Sequence, residues 1–164
     1  MSLYLKSLKN GIKLLEYTDH GICPVFLSYN AETPSYLYYY NKSTLSHLIS
    51  IKISDIIEIN FGHQQDIFHK YKLNMDKRLV SPNSLFSLVL PSGTLYFEAH
   101  SDHLCQQVLI GIQTLMIQLI RIEQRESLEK AYTEIKQLNL KIMESIDPIP
   151  PPFDDSNEDF QFYS

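Results

Sequence analysis

The stretch HSDHLC (100–105) sets two imidazoles and a thiol, His100, His103 and Cys105, close enough in sequence to raise zinc as a ligand. A closed site needs a fourth donor, and no paired cysteine or histidine motif supplies it, so helix-capping histidines and a core thiol are the simpler reading. His63 and His69 are read in the same way, and no metal is expected. FHKYKLNMDKR (68–78) gathers Lys70, Lys72, Lys77 and Arg78 around one acid, Asp76. That cluster suits an anionic lipid surface or an acidic partner, each cation near such a surface adding about 1 kcal/mol. The plainer reading is a solvated inserted loop, since charge runs are commonly exposed surface. Tyr36, Tyr38 and Tyr40 share one face of SYLYYYN (35–41) and could stack bases, but without interleaved cations a half-buried tyrosine strand is favoured and no nucleic acid is expected. Glycine-rich phosphate loops, a nucleophile elbow and closely spaced carboxylates are missing from the strand region, so neither an enzyme nor a cofactor is expected.

These residues must be positioned by short, punctuated apolar runs: IKLLEY (12–17), CPVFLSY (23–29), SYLYYYN (35–41), LISIKI (48–53), DIIEINF (55–61), SLFSLVL (84–90) and TLYFEA (94–99). Turn chemistry joins them at TDHG, NAETPS, FGHQQ and PSG. After Ala99 the period changes. Ser101 is placed to cap a helix, Asp102 to meet its dipole, and Leu104, Val108, Ile112, Leu115, Leu119 and Ile122 form one stripe. The expected fold is mainly β: a seven-stranded antiparallel sandwich or barrel capped by a C-terminal helix that continues into an arm.

Charge divides the chain in two. Residues 1–122 are near neutral at +1, and 123–164 carry −6. Beyond the polar EQRES (123–127), Leu128, Ala131, Ile135, Leu138 and Ile142 make a short heptad stripe out of phase with the preceding one. Self-association, as a weak homodimer, or pairing with a partner is one reading; a helix folded back on its domain, or a solvated extension, is the other. Prolines 148 and 150–152 end the helix, and the acidic tail carries Phe153, Phe160 and Phe162, either a docking motif or a plain disordered tail. The divisions are therefore 1–122, 123–146 and 147–164.

No apolar stretch is expected to span a bilayer, because glutamines interrupt LCQQVLIGIQTLMIQLI; Ser2 excludes N-myristoylation, and Cys23 and Cys105 suit a reducing compartment. A soluble, cytoplasmic chain is expected, peripheral to a membrane or cytoskeletal structure.

ISDIIEINFGHQQDIF followed by SLFSLVLPSGTLYFEAHSDHLCQQVLIGIQTLM resembles the second half of a pleckstrin-homology domain, most of all the phospholipase-C-type branch, and GIKLLEYTDHGICPVFLSYN resembles its first hairpin. The chain is also similar to the degenerate sub-compartment proteins of the apicomplexan inner membrane complex. The resemblance implies that Glu16, Thr18, Ile22, Cys23 and Val25 stand where phosphoinositide-binding members carry cations. None is cationic, and Glu16 opposes a phosphate. Val108 stands near the family's helical tryptophan. The resemblance and these substitutions together imply a non-catalytic adaptor that binds an unidentified protein partner, its lipid pocket non-functional and its helical acidic arm used in assembly, with Leu128, Ile135, Leu138, Ile142, Phe153, Phe160 and Phe162 as contact residues. The alternative is a peripheral protein that binds anionic phospholipid through Lys70, Lys72, Lys77 and Arg78.

Overall fold

Alternating apolar residues build the frame. The computed structural model describes residues 3–41, 48–62 and 65–145. Among them, helix α1 (Leu3–Asn10) precedes strands β1 (Ile12–Thr18), β2 (Gly21–Tyr29), β3 (Tyr36–Asn41), β4 (Leu48–Lys52) and β5 (Glu58–Phe61). Helices α2 (Asp66–Lys70) and α3 (Lys72–Arg78), strands β6 (Leu85–Leu90) and β7 (Gly93–Ala99), and helix α4 (Asp102–Ser145) complete the order. The strands form one antiparallel sheet, β4-β3-β2-β1-β7-β6-β5, curled into a half-barrel. All seven fall on the runs legible in the sequence.

Register fixes the inner face. In β1, Ile12 and Leu14 are buried and lie opposite Leu27 and Val25 of β2, while Phe86 of β6 faces Phe97 of β7. With Leu37 and Ile51 these residues form the main core, which α4 plugs with Cys105, Val108, Ile112 and Leu115. The Ser101 hydroxyl accepts a hydrogen bond from the Leu104 N–H at 3.1 Å, as the cap requires. Ile122, placed on the plugging stripe by its spacing, is instead 47% exposed.

Two elements depart from expectation. Residues 3–10 form α1, which buries Leu5 and Leu8 and ends where Gly11, at φ 83°, donates its N–H to the Leu8 carbonyl. The insertion is not a solvated loop. It folds as α2 and α3, which set Phe68 and Met75 into a second apolar cluster with Tyr17 and Leu85.

Helix α4 passes through EQRES without interruption. Contrary to the sequence expectation, it holds a window of mean hydropathy 1.3, long and apolar enough to cross a membrane by length and composition. The physical reason is the plug itself: a helix that fills a half-barrel must be apolar on that side, and Ile110, Ile117 and Ile120 add apolar surface elsewhere. The chain divides into two compact units, Met1–Glu123 and Gln124–Ser164. In the second, the described helix leaves Leu128, Ile135, Leu138 and Ile142 exposed.

Candidate functional site

Strand alternation sorts the five hairpin positions. Glu16 pairs with Cys23, Thr18 with Gly21 and Leu14 with Val25, so Glu16, Thr18, Cys23 and Val25 share the inner face, and Ile22, paired with Tyr17, lies on the outer one. Val25 is fully buried in the core, which removes it from any ligand surface. Thr18 holds the turn, its hydroxyl donating to the Gly21 carbonyl at 2.9 Å and accepting from the His20 N–H at 3.3 Å. Ile22 packs against the second cluster. Glu16 accepts a long hydrogen bond, 3.5 Å, from the Tyr39 hydroxyl. Burial raises the Glu16 carboxyl above its ordinary value, and the Tyr39 bond offsets part of that rise. Burial, with the neighbouring Glu16 charge, pushes Tyr39 up to about 12. Across β1 and β2, Lys13 is the sole cationic residue.

The outer face of this hairpin is occupied by the protein's own insertion. Phe68 meets Tyr17 and Tyr96 edge-on at ring separations of 5.2 and 5.7 Å, and Tyr71 meets Tyr17 at 5.5 Å. The Tyr71 hydroxyl donates to the Thr18 carbonyl, and the Lys70 ammonium donates to the Asp19 carbonyl at 2.8 Å while standing 3.7 Å from its carboxylate. The insertion therefore fastens the β1–β2 turn.

At the end of α3, Arg78 is still exposed but is paired with groups on the sheet. Its Nη1 and Nη2 donate to the two Glu98 oxygens at 2.9 and 3.0 Å, Nη2 also donates to the Tyr17 hydroxyl at 2.8 Å, and Nε donates to Asn74 at 2.7 Å. Tyr17 in turn donates to Glu98. Burial first, and then the Glu98 carboxylate, raises Tyr17 far above the ordinary phenol range. The Glu98 fork holds Arg78 in its charged form. The four cations read as one patch are all exposed, and two of them, Lys70 and Arg78, also make these intramolecular contacts. Lys72 and Lys77 are exposed, beside Leu73 at 71% and Leu79 at 90% exposure. Beside the Arg78–Glu98 pair lies a groove of about 640 Å³, bordered by Ser7, Lys13, His100 and Leu104.

Burial pushes the Cys105 thiol up to about 12, with Asp102 adding to the rise, so it packs as an apolar group. His103 stands 3.0 Å from the Gln107 amide. Among the described residues no group of three or more His, Cys, Asp or Glu could hold a metal ion. Tyr36 and Tyr38 lie side by side on β3, and Tyr40 stacks on Phe26 at 5.5 Å, so that row braces the sheet surface. His63, Phe153, Phe160 and Phe162 lie outside the described residues.

Tyr17, Glu98 and Tyr71 do not stand out in the sequence. Their signal is faint: strict alternation in β1 and β7 puts Tyr17 and Glu98 on the face opposite the core, but nothing local says that α3 will cover that face.

Seven antiparallel strands, in which β1 pairs with both β2 and β7, closed by a C-terminal helix, are the arrangement the sequence resemblance implied. The fold is pleckstrin-homology-like. No family model matches the sequence, and no curated protein matches it. Among solved structures, PLC21 of S. officinalis is similar at a TM-score of 0.53 and 9% identity, over 68% of this chain and 16% of that one. The present chain thus spans about a sixth of that protein's length. Inner Membrane Complex Sub-compartment Protein 3 of Toxoplasma gondii is similar at 0.50 and 9% identity, over 70% of this chain and 81% of that one. The PH domain of human TBC1 domain family member 2 protein is similar at 0.45 and 14% identity, over 72% and 86% of the two chains. For PLC21 and Sub-compartment Protein 3 the likeness, at 9% identity, is one of fold. Within the pleckstrin-homology-like body the inserted α2 and α3 are clamped on the first hairpin.

Proposed function

We propose that the chain is a non-catalytic adaptor: a pleckstrin-homology-like body whose phosphoinositide pocket is non-functional, with a helical acidic arm that binds a protein partner. It acts in the cytoplasm, peripheral to a membrane or cytoskeletal structure. The observation that carries this reading is the commitment of the first hairpin to internal contacts. Asp19 and Thr18 receive Lys70 and Tyr71, the positions expected of a cationic clamp are Glu16, Thr18, Ile22, Cys23 and Val25, and Arg78 is paired with Glu98. A multiply charged headgroup needs several converging cations, and Lys13 alone does not supply them. The exposed Leu128, Ile135, Leu138 and Ile142 favour the arm as the binding element. Phe153, Phe160 and Phe162 remain contact residues on their sequence chemistry.

A second reading is favoured by Lys72 and Lys77 beside exposed Leu73 and Leu79, a pairing of cation and apolar side chain suited to an anionic phospholipid surface. Flotation with phosphatidylserine-containing vesicles at moderate salt separates the two. An adaptor stays in solution, and its partner capture from native cells is lost on Leu138→Asp with Ile142→Asp. Co-flotation that disappears on Lys72→Glu with Lys77→Glu sinks the adaptor reading in favour of the membrane one.

A further inference from the structure

The arm's stripe has a built-in register. Taking Leu128, Ile135 and Ile142 as the first position of a heptad and Ala131, Leu138 and Ser145 as the fourth, the flanking positions fall on Tyr132 and Asn139 on one side and on Ser127, Glu134 and Lys141 on the other. These residues lie on one described helix, and Leu128, Tyr132, Ile135, Leu138 and Ile142 are 48–72% exposed.

A second copy can lie on this stripe in either direction, and the charges choose between them. In a parallel pair each flanking residue meets the one five positions on in the other chain, which sets Ser127 against Tyr132 and Glu134 against Asn139 and makes no ion pair. In an antiparallel pair with Ile135 opposite Leu138 of the second copy, Ile142 falls opposite Ala131, a large residue against a small one. Each Glu134 then meets Lys141 of the other chain, twice by symmetry, while Tyr132 covers Asn139. Sliding the antiparallel pair by one heptad sets Glu134 against Glu134 in one sense and Lys141 against Lys141 in the other. One direction and one register are favoured, and both alternatives by a heptad shift are opposed.

We infer that the arm pairs with the arm of a second copy of this chain as an antiparallel two-stranded coiled coil over residues 128–145, its orientation and register set by reciprocal Glu134–Lys141 pairs. This deepens the adaptor reading, on which it rests, by naming the occupant of the exposed stripe. The interface is only two to three heptads long, so the dimer is weak and reversible, a device for bringing two bodies together rather than an obligate assembly.

The test uses the full chain. Sedimentation velocity across a concentration series is expected to show a monomer–dimer equilibrium that Leu138→Asp with Ile142→Asp abolishes. Glu134→Lys alone and Lys141→Glu alone are each expected to weaken dimerisation by about tenfold, because each sets like charges together twice. Mixing these two variants, or combining both changes in one chain, restores wild-type affinity, a rescue that a merely structural role for either residue does not give. In a Cys23→Ser background, Ala131→Cys mixed with Ile142→Cys cross-links, whereas Ala131→Cys alone does not. A chain that stays monomeric at all concentrations, a dimer indifferent to the charge variants, or self-cross-linking of Ala131→Cys overturns the inference. If the monomeric chain still captures a protein partner through the arm, the adaptor reading survives without it; if the arm dimerises but captures no partner, the adaptor reading fails and the dimer stands.

Discussion

Arg78 and Glu98 grip one another as a two-pronged ion pair on the outer face of the sheet, Nη1 to Oε1 at 2.9 Å and Nη2 to Oε2 at 3.0 Å, with the Tyr17 hydroxyl touching both partners. Glu98 is deeply set, its side chain 10% exposed against 35% for Arg78. Removing the guanidinium leaves a carboxylate nearly out of water with no counter-charge. Losing one partner of a fully buried pair costs about 3–5 kcal/mol, and the partial exposure of Arg78 brings the expected cost of Arg78→Ala nearer 2 kcal/mol. Arg78→Lys should recover part of this, since it restores charge without the fork. Lys72→Glu with Lys77→Glu should leave the denaturation midpoint unchanged. Urea titrations of the three proteins check the order.

Glu16 gives a pH signature. Burial raises its folded value above the ordinary 4.5, so the folded state holds this proton more firmly than the unfolded one. The resulting stabilisation is fully present below the unfolded value and is lost as pH rises through the folded value. At neutral pH a charged Glu16 therefore opposes folding. Glu16→Gln, which keeps an acceptor for Tyr39, should melt higher than wild type at pH 7, and the gain should vanish below about pH 4. A constant difference across that range would show that charge is not the cause.

Gly111 marks the seat of α1 on α4. A methyl group there would stand 2.5 Å from Leu8 Cδ1 and 3.4 Å from the Tyr4 carbonyl oxygen, and Leu8 has no exposed surface into which to retreat. Gly111→Ala gains up to about 1 kcal/mol of helix propensity, yet overpacking costs about 1–3 kcal/mol. The net expectation is a small loss of stability with faster amide exchange confined to residues 3–10. Leu8→Val in the same chain should slow that exchange again.

The strands were legible because alternation and turn chemistry agreed where both were present, as with Leu95 and Phe97 in β7 and the Pro91–Ser92 link before Gly93. The plug was legible because Val108, Ile112 and Leu115 repeat at helical spacing. Short helices have no such redundancy. In α1 the buried face is two residues, Leu5 and Leu8, and in α2 and α3 the burial of Phe68 and Met75 was hidden by the lysines around them. The pairing of Arg78 was missed for the same reason: a run of cations looks like surface, and its partner Glu98 lies 20 residues on, beyond any local pattern. Clamping of the Thr18–Asp19 turn is likewise a tertiary fact, since Tyr71 and Thr18 are separated by 53 residues.

Phe68 tests whether the hairpin lacks a headgroup site because it is covered or because it has no cations. The side chain is 1% exposed and belongs to the second cluster, with Tyr17, Met75 and Leu85, which is distinct from the main core. Phe68→Ala removes its contacts to Tyr17 and Tyr96 and should cost about 3 kcal/mol, loosening α2 and α3 while the main core remains assembled. Limited proteolysis should then cut within 65–80 before it cuts the strands. The uncovered hairpin still presents Glu16 on one face and Lys13 as its one cation. Soluble inositol phosphates should accordingly bind neither the wild type nor Phe68→Ala at micromolar strength, about −8 kcal/mol by calorimetry. Binding that appears only in Phe68→Ala would mean that the insertion conceals a working site, and the covered face would then be a gate rather than a lost pocket.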